Sequence, residues 1–155
     1  MTDKKEIKLF LSSLNYPLHY FDFEAFNQAI PSIIGVKPFQ QIPFQYSLHI
    51  RSNFSEKPSH KEFLAEPDED PRENLVKKLV SDIPKEASVL VFNASYEKLV
   101  LGQLAEHFPE HKEHLLNISK NIIDLAEPFR KQHYYHPQMK GSFIYGFYAV
   151  CEKFF

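Results

Sequence analysis

Residues 89–101 read VLVFNASYEKLVL. An apolar run meets a polar turn at Asn93–Ser95, and apolar residues then recur at helical spacing. A short, continuous apolar run suits a parallel strand buried on both faces, here residues 88–92. Tyr96, Val100, Leu104 and Phe108 fall on one helical stripe, which predicts a helix over 95–108. A buried strand that runs straight into a helix is the building unit of an α/β sheet. Asn93 closes the strand and Glu97 lies in the first helical turn, where the positive end of the helix dipole favours a carboxylate. Strand ends of this kind are where an α/β sheet usually gathers its chemistry. On these residues alone the plainer role is favoured: Asn93 or Ser95 caps the helix, and Glu97 is an ordinary first-turn acid.

Working outward, Asp70, Pro71 and Glu73 resemble a helix start, with Asp70 as cap and Glu73 closing a capping box. Leu75, Val76, Leu79, Val80 and Ile83 carry that helix to Pro84. Residues 17–24, PLHYFDFE, are dense in aromatics and predict a strand. Pro31, Gly35, Pro38 and Pro43 mark 25–42 as loop. Residues 44–51 alternate in polarity like a strand with one wetter face, and 60–65 supply its hairpin partner. Residues 1–13 read as a short helix or arm, and 110–117 as a helical turn or two. Residues 121–130 read as a short strand or turn leading into a helix. The order predicts an α/β domain, a mixed sheet with helices packed on it. A last strand–helix repeat is hard to find.

On the strand at 17–24, alternation puts Tyr20, Asp22 and Glu24 on one face and Phe21 and Phe23 on the other. Two carboxylates two residues apart repel each other, and no lysine or arginine stands beside them in sequence. A divalent cation resolves that conflict, since hard cations take carboxylate oxygens. A solvated strand end explains the pair as well and, on these residues alone, is the favoured account.

The chain has 155 residues, 43% hydrophobic and 15% aromatic, enough for one domain with a real core. Net charge is −2, with no basic tail or stripe, so avid binding driven by counterion release is not signalled. No run approaches the ~18 apolar residues of a membrane helix. Lys8, Ser12 and Ser13 interrupt the amino-terminal apolar stretch, so it is not read as a signal peptide. The single cysteine, Cys151, excludes an internal disulfide framework and fits a reducing, cytoplasmic setting.

FDFE at 21–24, followed by FNASYEKLVL at 92–101, resembles the first two motifs of DEDD-type (DnaQ-like) exonucleases of the ribonuclease H-like superfamily. Those motifs are Asp-x-Glu on the first strand and Asn-x-x-x-acid opening a helix. The chain resembles more closely a bacterial family of uncharacterised proteins, the domain of unknown function 2779, in which Glu stands at the second motif. IDLAEPFRKQHYYHPQMKGSF at 123–143 is similar to a later run in that family, and the resemblance spans roughly residues 14–143. It implies a single ribonuclease H-like domain over 1–155. The implied activity is metal-dependent 3′–5′ exonucleolytic hydrolysis of phosphodiesters at a single-stranded nucleic-acid 3′ end. It also implies a two-metal site for Mg2+ or Mn2+. Asp22, Glu24 and Glu97 would be the catalytic and metal-binding acids, with Asn93 and Asp124 in support. The family's last motif, a Tyr-x-x-x-Asp or His-x-x-x-x-Asp helix, is not found. Residues 144–155 are an atypical tail, and Tyr148-x-x-x-Glu152 mimics the spacing too early. The expectation is a truncated domain of weak or no activity; the alternative is a non-catalytic module that binds nucleic acid or protein.

His133 and His136 flank Tyr134 and Tyr135. Tyr134, Tyr135 and His136 form either a substrate-contacting loop whose tyrosines stack on bases, or a packed aromatic loop. His107, His111 and His114 recur at helical spacings, but Pro109 interrupts them, and a solvated surface is the favoured reading over zinc. The apolar tail suggests a homodimer.

Overall fold

The computed structural model describes residues 2–67 and 69–143. The tail at 144–155, with Glu152 and the expected dimer surface, lies outside them. Five strands form one mixed sheet: β1 (Leu18–Phe26), β2 (Ile42–Arg51), β3 (Ser59–Leu64), β4 (Ser88–Val91) and β5 (Ile122–Asp124). Their order across the sheet is β3-β2-β1-β4-β5. β1, β2 and β3 make an antiparallel meander, and β4 and β5 extend it as parallel strands. The parallel pairs are reached through helices, as parallel pairing requires. These are α2 (Arg72–Asp82) before β4, and α3 (Ser95–His107) and α4 (Lys112–Lys120) before β5. Helix α1 (Lys4–Ser12) precedes the sheet, and α5 (Glu127–Arg130) follows it.

Alternation along β1 sorts its side chains as the sequence predicts. Phe21 and Phe23 join Tyr46, Leu48, Val89 and Val91 in a core with Leu75, Leu79, Val100, Leu101, Leu104 and Ile118 of the helices. Fully burying one such side chain contributes about 1.5–3 kcal/mol. The opposite face of β1 is polar. Tyr20, Asp22 and Glu24 there stand across from His49, Ser47 and Gln45 of β2. The short strand or turn expected within 121–130 is β5, three residues long and followed by α5. It is short because Asp124 turns the chain directly into α5.

Two local expectations change. Asp70 accepts the Arg72 backbone N–H at 3.1 Å and clasps the Arg72 guanidinium, at 2.6 Å to Nη2. Glu73 closes no capping box; it pairs with Lys77 one turn along at 2.5 Å. Asp70 still caps one backbone amide at the helix start, whereas Lys77 draws the Glu73 carboxylate away from the backbone. The segment after Pro109 continues as helix to Lys120, beyond the expected 117, because Leu115 and Ile118 bury completely. His114 is part of that packing: its Nε2 meets the Ile83 carbonyl oxygen at 2.7 Å.

Candidate functional site

The parallel register sets the carboxyl ends of β1, β4 and β5 side by side. Tyr20 pairs with Leu90, and Val91 with Asp124. Asp22 and Glu24 therefore continue past the end of β4 on an exposed stretch of β1. At the same edge the chain leaves β4 through Asn93, which adopts a left-handed backbone at φ +70°. Asparagine tolerates that conformation better than most residues. The reversal starts α3 at Ser95 and brings Glu97 back to the strand ends.

Glu97 is 3% exposed, and its Oε2 has no hydrogen-bond partner. Burial pushes its carboxyl up to about 7, and the charges of Asp22 and Asp124 push the same way against its own backbone N–H. Asp22 also lies above the usual carboxylate range. The protein packed around it removes part of its hydration, and Glu24 adds like charge. Tyr96 is raised by burial and by the charges of Glu24, Glu97 and Asp22 together. Like charges act on one another this way only at short range. Asp22, Glu24 and Glu97, remote in the chain, thus share one edge of the sheet.

Asp124 is bound differently. Its Oδ1 accepts the backbone N–H groups of Asn93 and Ala126, each at 2.9 Å. Its Oδ2 accepts from Arg130 Nη2 at 3.0 Å. Burial pushes this carboxyl up, but the Ala126 and Asn93 amides, Arg130 and the Ala94 amide outweigh it and hold it low. Asp124 is therefore a structural clasp between β5, the Asn93 turn and α5. Arg130 was not singled out in the sequence. The only cue was the unbalanced acid there, because no local motif surrounds it.

Tyr134 turns from the site toward the amino terminus. It bridges to Thr2 and packs edge-on against Phe129 at 5.7 Å. Tyr135 is 41% exposed, and the His136 backbone N–H donates to Met139 Sδ at 3.2 Å. Beyond Glu24 lies an open groove of about 610 Å³, lined by Phe26, Ile33, Phe44, Glu66 and Glu69 among others. Among the described residues, no group of three or more His, Cys, Asp or Glu side chains is placed to hold a metal ion. No helix among them is long and apolar enough to cross a membrane.

The fold and this edge define a mixed α/β domain with a cluster of carboxylates at the carboxyl ends of its central strands. A family model described as Domain of unknown function (DUF2779) matches residues 19–144, and the chain belongs to that family. No curated protein and no solved structure matches the chain.

Proposed function

We propose that this domain is a ribonuclease H-like, DEDD-type exonuclease domain that hydrolyses phosphodiesters at nucleic-acid 3′ ends with the help of Mg2+ or Mn2+. The observation that carries the reading is Glu97, a buried carboxylate with an unpartnered oxygen, held where Asp22 and Asp124 raise its energy. Without a cation that arrangement only costs stability. All the donors are carboxylate oxygens, which suits a hard divalent ion. Support also comes from the sheet, an antiparallel β1-β2-β3 meander extended by two parallel strands. Asp22, Glu24 and Glu97 would hold the ion, and Asp124 and Asn93 keep the turn that carries Glu97 in place. When bound, the ion lowers the pKa of an attacking water and offsets charge growing on the phosphate.

A second reading has its own observation. Among the described residues the carboxylates form no ready set of three ligands, an arrangement that a non-catalytic module binding nucleic acid or protein also fits. Thermal unfolding of the wild type and Asp22→Ala with increasing Mn2+ or Mg2+, beside cleavage of labelled single-stranded DNA and RNA, separates the two. A cation-dependent rise in Tm and cleavage, both lost in Asp22→Ala, supports the nuclease. A rise in Tm without cleavage leaves a binding module, and no rise at any cation concentration defeats the metal-dependent reading.

A further inference from the structure

Arg130 brings a positive charge to an edge where Asp22, Glu24, Glu97 and Asp124 lie, and among the described residues its hydrogen bonds use only one of its nitrogens. Nη2 donates to Asp124 Oδ2 at 3.0 Å and to Asn93 Oδ1 at 3.4 Å, so both hydrogen bonds run through one nitrogen. The guanidinium carbon lies 5.5 Å from the centre of the Phe143 ring. That ring in turn leans on Phe92 at 6.2 Å. The head group is thus oriented from two sides, yet the side chain is 48% exposed. Asp124 cannot occupy the other edge of the fork, since its second oxygen is spent on the Asn93 and Ala126 amides.

We propose that Arg130 is an anion subsite beside the carboxylates and grips a phosphate group of a nucleotide through the free edge of its guanidinium. Planar guanidinium matches phosphate oxygens through paired N–H groups, which an ammonium does not reproduce. Asp124 fixes its direction, and the aromatic ring limits its swing. The edge is then bipolar: acids on the Asp22 and Glu97 side suit a cation, and Arg130 suits the anion that would lie against it. The nucleotide assignment rests on the nuclease-like reading, whereas the anion subsite rests on Arg130 and its contacts alone.

Calorimetric titration of the full chain with a nucleoside 5′-monophosphate and, separately, with inorganic phosphate tests this, each with and without Mn2+. The wild type should bind the nucleotide more tightly than phosphate. Arg130→Gln should weaken nucleotide binding about tenfold or more, and Arg130→Lys less, since it keeps the charge but not the fork. Both variants should keep the Mn2+-induced rise in Tm. Phe143→Leu, which leaves the Asp124 clasp intact, should weaken nucleotide binding severalfold and serves where Arg130→Gln fails to fold. Unchanged nucleotide affinity in these variants, or no phosphate binding by the wild type in either condition, overturns the subsite. A nucleotide that binds no tighter than phosphate overturns its link to nucleic acid. Loss of the Mn2+ response with Arg130-dependent phosphate binding intact defeats the nuclease-like reading and leaves the subsite standing.

Discussion

Asp124 Oδ1 accepts the Asn93 backbone N–H at 2.9 Å, tying the end of β5 to the turn that leaves β4. The same oxygen takes Ala126 N–H, and the other oxygen takes Arg130. Removing the carboxylate strands two amides and a guanidinium at once. Asp124→Ala is therefore expected to cost about 2–4 kcal/mol. Asn93 reports on the turn from the other side. Its φ of +70° admits glycine without strain, so Asn93→Gly should fall within about 0.5 kcal/mol of wild type, and Asn93→Val should cost about 1–2 kcal/mol. Urea unfolding midpoints check all three. An unperturbed Asp124→Ala would show that the clasp carries no stability.

Glu97 sets a pH dependence whose sign follows from its raised carboxyl. Folding lifts it from 4.5 to about 7, so between those values the native state binds more protons than the unfolded chain. Its stabilising contribution is complete below 4.5 and is lost as pH rises through 7. Glu97→Gln keeps the shape and never ionises. It should match wild type near pH 4.5 and exceed it by roughly 2–3 kcal/mol at pH 8 without divalent ions. Thermal melts across pH 4.5–8.5 measure the difference. Equal Tm values at pH 8 would mean that Glu97 is ionised in the fold without penalty.

Much of this edge was legible because it is local. VLVFNASYEKLVL carries strand, turn and helix in consecutive residues, and the alternation of Phe21 and Phe23 with Asp22 and Glu24 gives both faces of β1. The resemblance placed Asp22, Glu24 and Glu97 together; Asp22 raises the Glu97 carboxyl and Glu24 raises that of Asp22. Asp124 was expected only to support the acids, and the chain gave no hint that its oxygens were spoken for. Its partners come from β4, from its own turn and from α5, and such a clasp exists only once the sheet has formed. Arg130 escaped notice for the same reason. The capping box at Asp70–Glu73 failed because a motif of four residues cannot reveal that Arg72 and Lys77 compete for the same carboxylates.

Far from the acidic edge, Asp82 gathers Tyr46 Oη at 2.7 Å, Lys61 Nζ at 3.2 Å and Lys78, joining β2, β3 and α2. Burial pushes its carboxyl up, but Lys78, Tyr46 and Lys61 together hold it below the usual range. A depressed carboxyl stabilises the fold above its unfolded value of 3.8, and that stability is lost as pH falls through the native value. Asp82→Asn should cost about 1–3 kcal/mol at pH 7, and the deficit should shrink below pH 3.8. Tyr46→Phe should cost about 1 kcal/mol, since Asp82 keeps both lysines. Denaturant titrations at pH 7 and pH 3 decide it. A deficit of equal size at both would assign the cost of Asp82→Asn to packing instead of charge.

His19 opposes Glu97 in the same pH window. It lies on β1, 3% exposed, with Nδ1 lacking a hydrogen-bond partner. Burial lowers it below 6.5, more than the Pro17 and Ser88 backbone contacts raise it. As pH falls through 6.5 the unfolded chain therefore takes up a proton that the native state resists, and His19 costs stability just where Glu97 restores it. The two effects oppose each other in wild type between pH 4.5 and 7. Single variants uncouple them. Glu97→Gln should leave a protein that weakens steadily on acidification below pH 6.5, and His19→Gln one that strengthens over the same range. Melts of both variants against wild type, at matched ionic strength, would refute the pairing if the two pH slopes shared a sign.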